Sequence, residues 1–210
     1  MATNWPNSVQ TFTNPTAGSA LNSPSHADQH ATVNDTVEAL QNYAGLVLVS
    51  STAVGSGVSS VDVNDVYSST FDNYKITYTN YASSITNIGM RMRLKTGTVD
   101  TSSNYYWGGY FVRYTSTGSG FDRSGGALNF FDMGSATSPA SALSWEMYSP
   151  NLSAYTLYTL QQTAASSTDQ YLIARSGVFR NTTQFSGFQL FPASGTITGG
   201  TIRVYGYNNG

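Results

Sequence analysis

The chain has 210 residues, room for one large domain or for a domain with an appendage. Charged residues make up 10% of it, against roughly 25% in ordinary soluble domains. Charge repulsion between copies is therefore weak and self-association is easy. Cysteine is absent, which excludes disulfides, thiolate catalysis and cysteine-held zinc.

Residues 1–24 read as an extended arm, punctuated by Pro6, Pro15 and Pro24. Its spaced apolar residues, Trp5, Phe12 and Leu21, are too few to offset the entropy of ordering the segment alone. They are the expected anchors by which the arm docks on something larger. A helix is expected over 25–45, with Ser23-Pro24-Ser25 as the capping signal, Asp28 near the positive end of the helix dipole and Gly45 as terminator. His26, His30, Val33, Val37 and Leu40 follow alternating steps of four and three. That spacing turns one narrow stripe to a partner, either a seam between chains or a face laid on the chain's own β-domain.

From residue 46 to 210 the pattern is β. Tyr74, Ile76 and Tyr78 alternate with Lys75, Thr77 and Thr79, and Met90, Met92 and Leu94 alternate with Arg91, Arg93 and Lys95. Further strands are expected at 46–51, 58–67, 105–114, 127–133, 143–148, 155–162, 171–178, 184–191 and 201–207. Thr117-Gly118-Ser119-Gly120 and Ser194-Gly195 read as turns. About ten short antiparallel strands with short turns predict a β-sandwich, specifically a jelly roll.

The chemistry is sparse. His26 and His30 stand four apart, a spacing that can share a metal, but Ala27 occupies the place of the metalloprotease glutamate. Hydrogen bonds to the arm or to neighbouring subunits are the favoured account of the pair, and no metal or cofactor is assigned. Glycan hydrolysis needs two carboxylates facing across a cleft. Glu146, between Trp145 and Met147 on a strand, is expected to face solvent or an interface. No catalytic residue is assigned, and the chain is not expected to be an enzyme. Asp62-Val63-Asn64-Asp65 opens like a calcium loop, but the required Gly and Glu are replaced by Tyr67 and Asn73.

Tyr105, Tyr106, Trp107 and Tyr110 form an aromatic run beside Gly108 and Gly109. Strand geometry sends alternate members to opposite faces, some to the core and some to a subunit contact or a glycan. Residues 1–74 carry six acids and no Lys or Arg, while 75–210 carry nine basic residues against five acidic ones. That basic surplus is too dilute for nucleic acid. No apolar run approaches the roughly 20 residues that span a bilayer, and no secretory signal opens the chain, so it is expected to start in a cytoplasm.

Two stretches carry a resemblance. Ser23-Pro24-Ser25-His26-Ala27-Asp28-Gln29-His30 followed by Asn34-Asp35-Thr36-Val37-Glu38-Ala39-Leu40-Gln41 resembles the particle-proximal segment of tailed-phage virion structural proteins. More loosely, Asp72–Ile76, Arg91–Leu94 and Gly200–Tyr207 are similar to β-domain strands of phage and cyanophage structural proteins. The resemblance implies a homotrimeric decoration or cement protein on the virion, partnered by the major capsid protein or another virion component. A short fibre or knob recognising host glycan is the alternative.

Overall fold

In the computed structural model, residues 26–42, 45–114, 118–136, 139–166 and 170–209 are described. The chain divides into two compact units, Met1–Val47 with Asn208–Gly210, and Leu48–Tyr207. The arm residues Trp5, Phe12 and Leu21 lie outside the described residues, as do the side chains of His26 and Leu40.

Helix α1 spans His26–Asn42 and starts directly after Ser25, with Asp28 in its first turn. Two threonines bond back to the preceding turn: Thr32 Oγ1 donates to Asp28 O and Thr36 Oγ1 to Thr32 O, each at 2.8 Å. Thr32 is buried, whereas Val33 and Val37 are 45% and 46% exposed and His30 is exposed. The described apolar members of the stripe, Val33 and Val37, are therefore nearly half exposed.

The β-structure comprises β1 (Leu46–Ala53), β2 (Val61–Val63), β3 (Asn73–Ser83), β4 (Ile88–Thr96), β5 (Thr98–Val99), β6 (Tyr105–Arg113) and β7 (Ser119–Arg123). It continues with β8 (Phe131–Ala136), β9 (Pro139–Tyr148), β10 (Thr156–Ser166), β11 (Gln170–Phe179), β12 (Gly187–Pro192), β13 (Ile197–Thr198) and β14 (Thr201–Tyr207). One sheet runs β1-β14-β3-β9-β10-β11-β6-β7, with β13 beside β3. The other runs β2-β12-β4, and the far edge of β4 is shared by β8 and β5.

Setting β1-β14-β3-β9 against β2-β12-β4-β8 reproduces the strand order of a jelly roll. Two hairpins, β6–β7 and β10–β11, are inserted into this plan and widen the first sheet. The core lies between the sheets: Trp145 of β9 meets Phe188 of β12 edge-on at 5.6 Å, and Phe131 of β8 meets Tyr158 of β10 at 4.5 Å. Burying side chains of this size supplies about 1.5–3 kcal/mol each, which makes the aromatic interior the main driving term.

Alternation holds where the sequence predicts it, and Tyr74, Ile76, Tyr78, Met90, Met92 and Leu94 are all buried. It breaks at two places. In β3 the register against β9 shifts between Tyr78 and Tyr81, with Asn80 left-handed at φ 58°. The bulge brings Tyr81 back to the inner face, stacked on Tyr78 with ring centroids 4.1 Å apart.

In β4, Lys95 is buried despite its outward place in the alternation. Its ammonium lies 3.0 Å from Asp62 and donates to Asn64 Oδ1 at 2.9 Å. The segment that opens like a calcium loop thus binds a lysine.

The turn expected at Thr117-Gly118-Ser119-Gly120 ends in a strand, because β7 completes the sheet edge against β6. Glycine at 120 leaves room for the Phe111 ring, which a Cβ there would meet at 3.0 Å.

Candidate functional site

The outer face of the larger sheet carries the organised polar chemistry. Antiparallel register lines up Tyr205, Lys75, Glu146, Thr159 and Ser176 in one row across β14, β3, β9, β10 and β11. The next row is Arg203, Thr77, Ser144, Gln161, Ala174, Tyr110 and Phe121, reaching β6 and β7. Two cavities open on this face. The larger, about 420 Å³, is lined by Lys75, Ser144, Glu146, Thr159, Gln161 and Ala174 among others. The smaller, about 290 Å³, takes in Thr77, Thr79, Thr163 and Leu172. Both span β3, β9, β10 and β11 and share Ser144 and Gln161, so they adjoin along the strands as one shallow trough.

Glu146 organises one end of the trough. Tyr148 donates to its Oε2 at 2.5 Å, Tyr207 donates to its Oε1 at 2.7 Å, and the Lys75 ammonium lies 3.7 Å from Oε1. The hydroxyl oxygens of Tyr148 and Thr159 are 3.4 Å apart. The two tyrosine hydrogen bonds, with Lys75 assisting, hold the carboxyl below its usual range. Burial and the bond to Glu146 push the Tyr207 phenol up to about 12, and the same carboxylate raises Tyr148. The result is a fixed anion whose donors come from three strands. Glu146 faces outward as its flanking Trp145 and Met147 imply, but its partners lie on β3 and β14 as well as on its own strand.

The aromatic run divides by strand parity. Tyr105 and Trp107 are buried on the inner face, Tyr105 against Phe131 and Phe179 and Trp107 under the Arg175 guanidinium. Tyr106 and Tyr110 face outward. The Arg180 guanidinium lies over the Tyr106 ring at 4.3 Å, which leaves Tyr110, 47% exposed, as the open aromatic of the run. Beside it on β7, Phe121 is 94% exposed, an aromatic that the glycine-rich context of residues 117–120 conceals in the sequence.

No family model matches this sequence, and no curated protein matches it.

On the opposite face of the same strands, Arg175 sits 4.7 Å over the Trp107 ring, 3.2 Å from Asp122 and in contact with Asp132. Burial raises the Asp132 carboxyl even though Arg175 and the Gly134 amide oppose the shift. Here two carboxylates do approach one another, but the guanidinium stands against both. The arrangement neutralises a buried arginine rather than presenting an open acid and base. Among the described residues, no three His, Cys, Asp or Glu side chains gather as metal ligands. No described helix is long and apolar enough to cross a membrane.

Proposed function

We propose that the chain is a surface structural protein of a tailed-phage particle, a homotrimer that decorates or cements the shell without catalysis. The observation that carries this reading is the outward stripe of α1. Val33 and Val37 lie at heptad spacing and are nearly half exposed in the single chain, so three such helices can bury them around a common axis. The jelly roll supports the reading as a compact module to be presented by that seam. The N-terminal anchors Trp5, Phe12 and Leu21 would dock the trimer on the major capsid protein or another virion component. The test is the mass of the purified protein in solution together with its copy number on virions. A trimer present at about one copy per capsid subunit supports the reading, and a monomer overturns it.

A second reading, a short fibre or knob that recognises host glycan, is favoured by one observation. The trough on the outer sheet face is open, with polar groups preorganised around Glu146 at one end and a more apolar lining at the other. On this reading the trimers would be few per particle.

A further inference from the structure

We propose that the trough across β3, β9, β10 and β11 binds an uncharged oligosaccharide chain, with Glu146 and Gln161 as its principal hydrogen-bonding residues. The assignment rests on the recognition reading for its biological setting, but the chemistry is local to the trough.

Shape comes first. Each cavity reaches across β3, β9, β10 and β11, three inter-strand spacings or ~14 Å, and the two adjoin along the strands at Ser144 and Gln161. Such a groove suits an extended chain rather than a single compact molecule. Each cavity is of a size ordinarily associated with small-ligand sites, or only slightly below it.

The donor and acceptor inventory comes second. Thr77, Thr159, Thr163 and Ser144 bring hydroxyls and Gln161 brings an amide. Each of these groups both donates and accepts, the requirement set by sugar hydroxyls, which do the same. Glu146 adds a charged acceptor, whose hydrogen bonds are about twice as strong as neutral ones. It is already oriented by Tyr148 and Tyr207, so little ordering is left for a ligand to impose. Leu172 supplies an apolar contact for the less polar face of a sugar ring.

Charge comes third and selects the class. Lys75 and Glu146 compensate one another at 3.7 Å. Arg175 contributes to the trough wall, yet its guanidinium is engaged on the opposite face by Asp122 and Asp132. The lining is therefore electrically balanced. A uronate or sulfated chain would meet the Glu146 carboxylate without a free cation in the lining to offset it.

The experiment is affinity electrophoresis of the full chain through gels containing soluble neutral polysaccharides (glucan, mannan, galactan and xylan) and, separately, alginate and polygalacturonate. Wild type, Gln161→Trp and Glu146→Gln are compared, with Phe121→Ser as a surface control and circular dichroism to establish folding. The expected result is retardation by at least one neutral polymer. That retardation should fall at least fivefold in Gln161→Trp, fall in Glu146→Gln, and be unchanged in Phe121→Ser. Retardation that survives both trough substitutions overturns the trough and leaves the recognition reading standing with its site elsewhere. Retardation by the anionic polymers alone overturns the uncharged class. Migration unaffected by every polymer overturns both the trough and the recognition reading. Should Gln161→Trp fail to fold, Glu146→Gln decides the matter, since it nearly preserves shape while removing the charge and one of the two acceptor oxygens.

Discussion

Glu146 and Tyr207 stand 61 positions apart in the chain, and the phenol of one donates to the carboxylate of the other at 2.7 Å. The contact joins β9 to β14 across β3, so it exists only once these three strands have paired in register. Its energetic and pH consequences are open to direct measurement. Because the folded carboxyl titrates below its usual value, its contribution to stability is complete above the unfolded value of about 4.3 and fades as pH falls through the lowered folded value. Glu146→Gln is expected to lose under about 1 kcal/mol at neutral pH, the side chain being about one-third exposed. The difference from wild type should shrink on acidification below about pH 4. Urea unfolding from pH 3 to 7 measures it, and a constant difference across that range would refute the linkage.

Gly134 cannot accept a side chain without disturbing a buried polar contact. Its φ is 88°, and an added Cβ would run into Gln162. Buried Gln162 donates to Tyr81 Oη at 2.7 Å and to Ser135 O at 2.6 Å, and accepts from Ser135 N at 2.8 Å, tying β10 to β3 and β8. Gly134→Ala combines left-handed backbone strain with displaced buried hydrogen bonds, an expected loss of about 2–4 kcal/mol in denaturant unfolding. A loss below about 0.5 kcal/mol would show that Gln162 re-pairs without cost.

Lys95 tests the other buried charge. With its side chain 7% exposed, it relies on Asp62 and Asn64. Removing Asp62 leaves the ammonium nearly dry with one neutral acceptor, so Asp62→Ala should destabilise by about 1–3 kcal/mol, discounted because Asp62 itself is half exposed. Lys95→Met in the same background should recover part of the loss, and a double-mutant cycle by chemical unfolding reads the coupling.

Phe121 and Phe188 contrast position with residue type. Phe188→Ala empties a core site against Trp145 and Tyr67, at an expected cost of about 3–5 kcal/mol. Phe121→Ser should change unfolding free energy by less than about 0.5 kcal/mol, because the ring is almost wholly in water.

The proposed helix seam predicts an assembly phenotype with little effect inside the β-domain. Val33→Asp with Val37→Asp places charge along the stripe, and light scattering should show the proposed trimer replaced by monomer while the β-sheet circular dichroism persists. A trimer that withstands both substitutions would place the self-contact elsewhere.

The sequence by itself determined the presence of one helix near the N-terminal side and the inward set of Tyr74, Ile76, Tyr78, Met90, Met92 and Leu94. These depend on local capping and on a period of two that any pleated strand must obey. It also determined that Glu146 turns outward, since Trp145 and Met147 must turn in. Only the tertiary structure decided which residues Glu146 meets, because register between β9, β3 and β14 is a long-range choice. The Asn80 bulge, the lysine held by Asp62 and Asn64, and β7 with its exposed Phe121 have the same origin. Each depends on a partner strand far away in the chain, and a residue's neighbours in sequence carry no record of that partner.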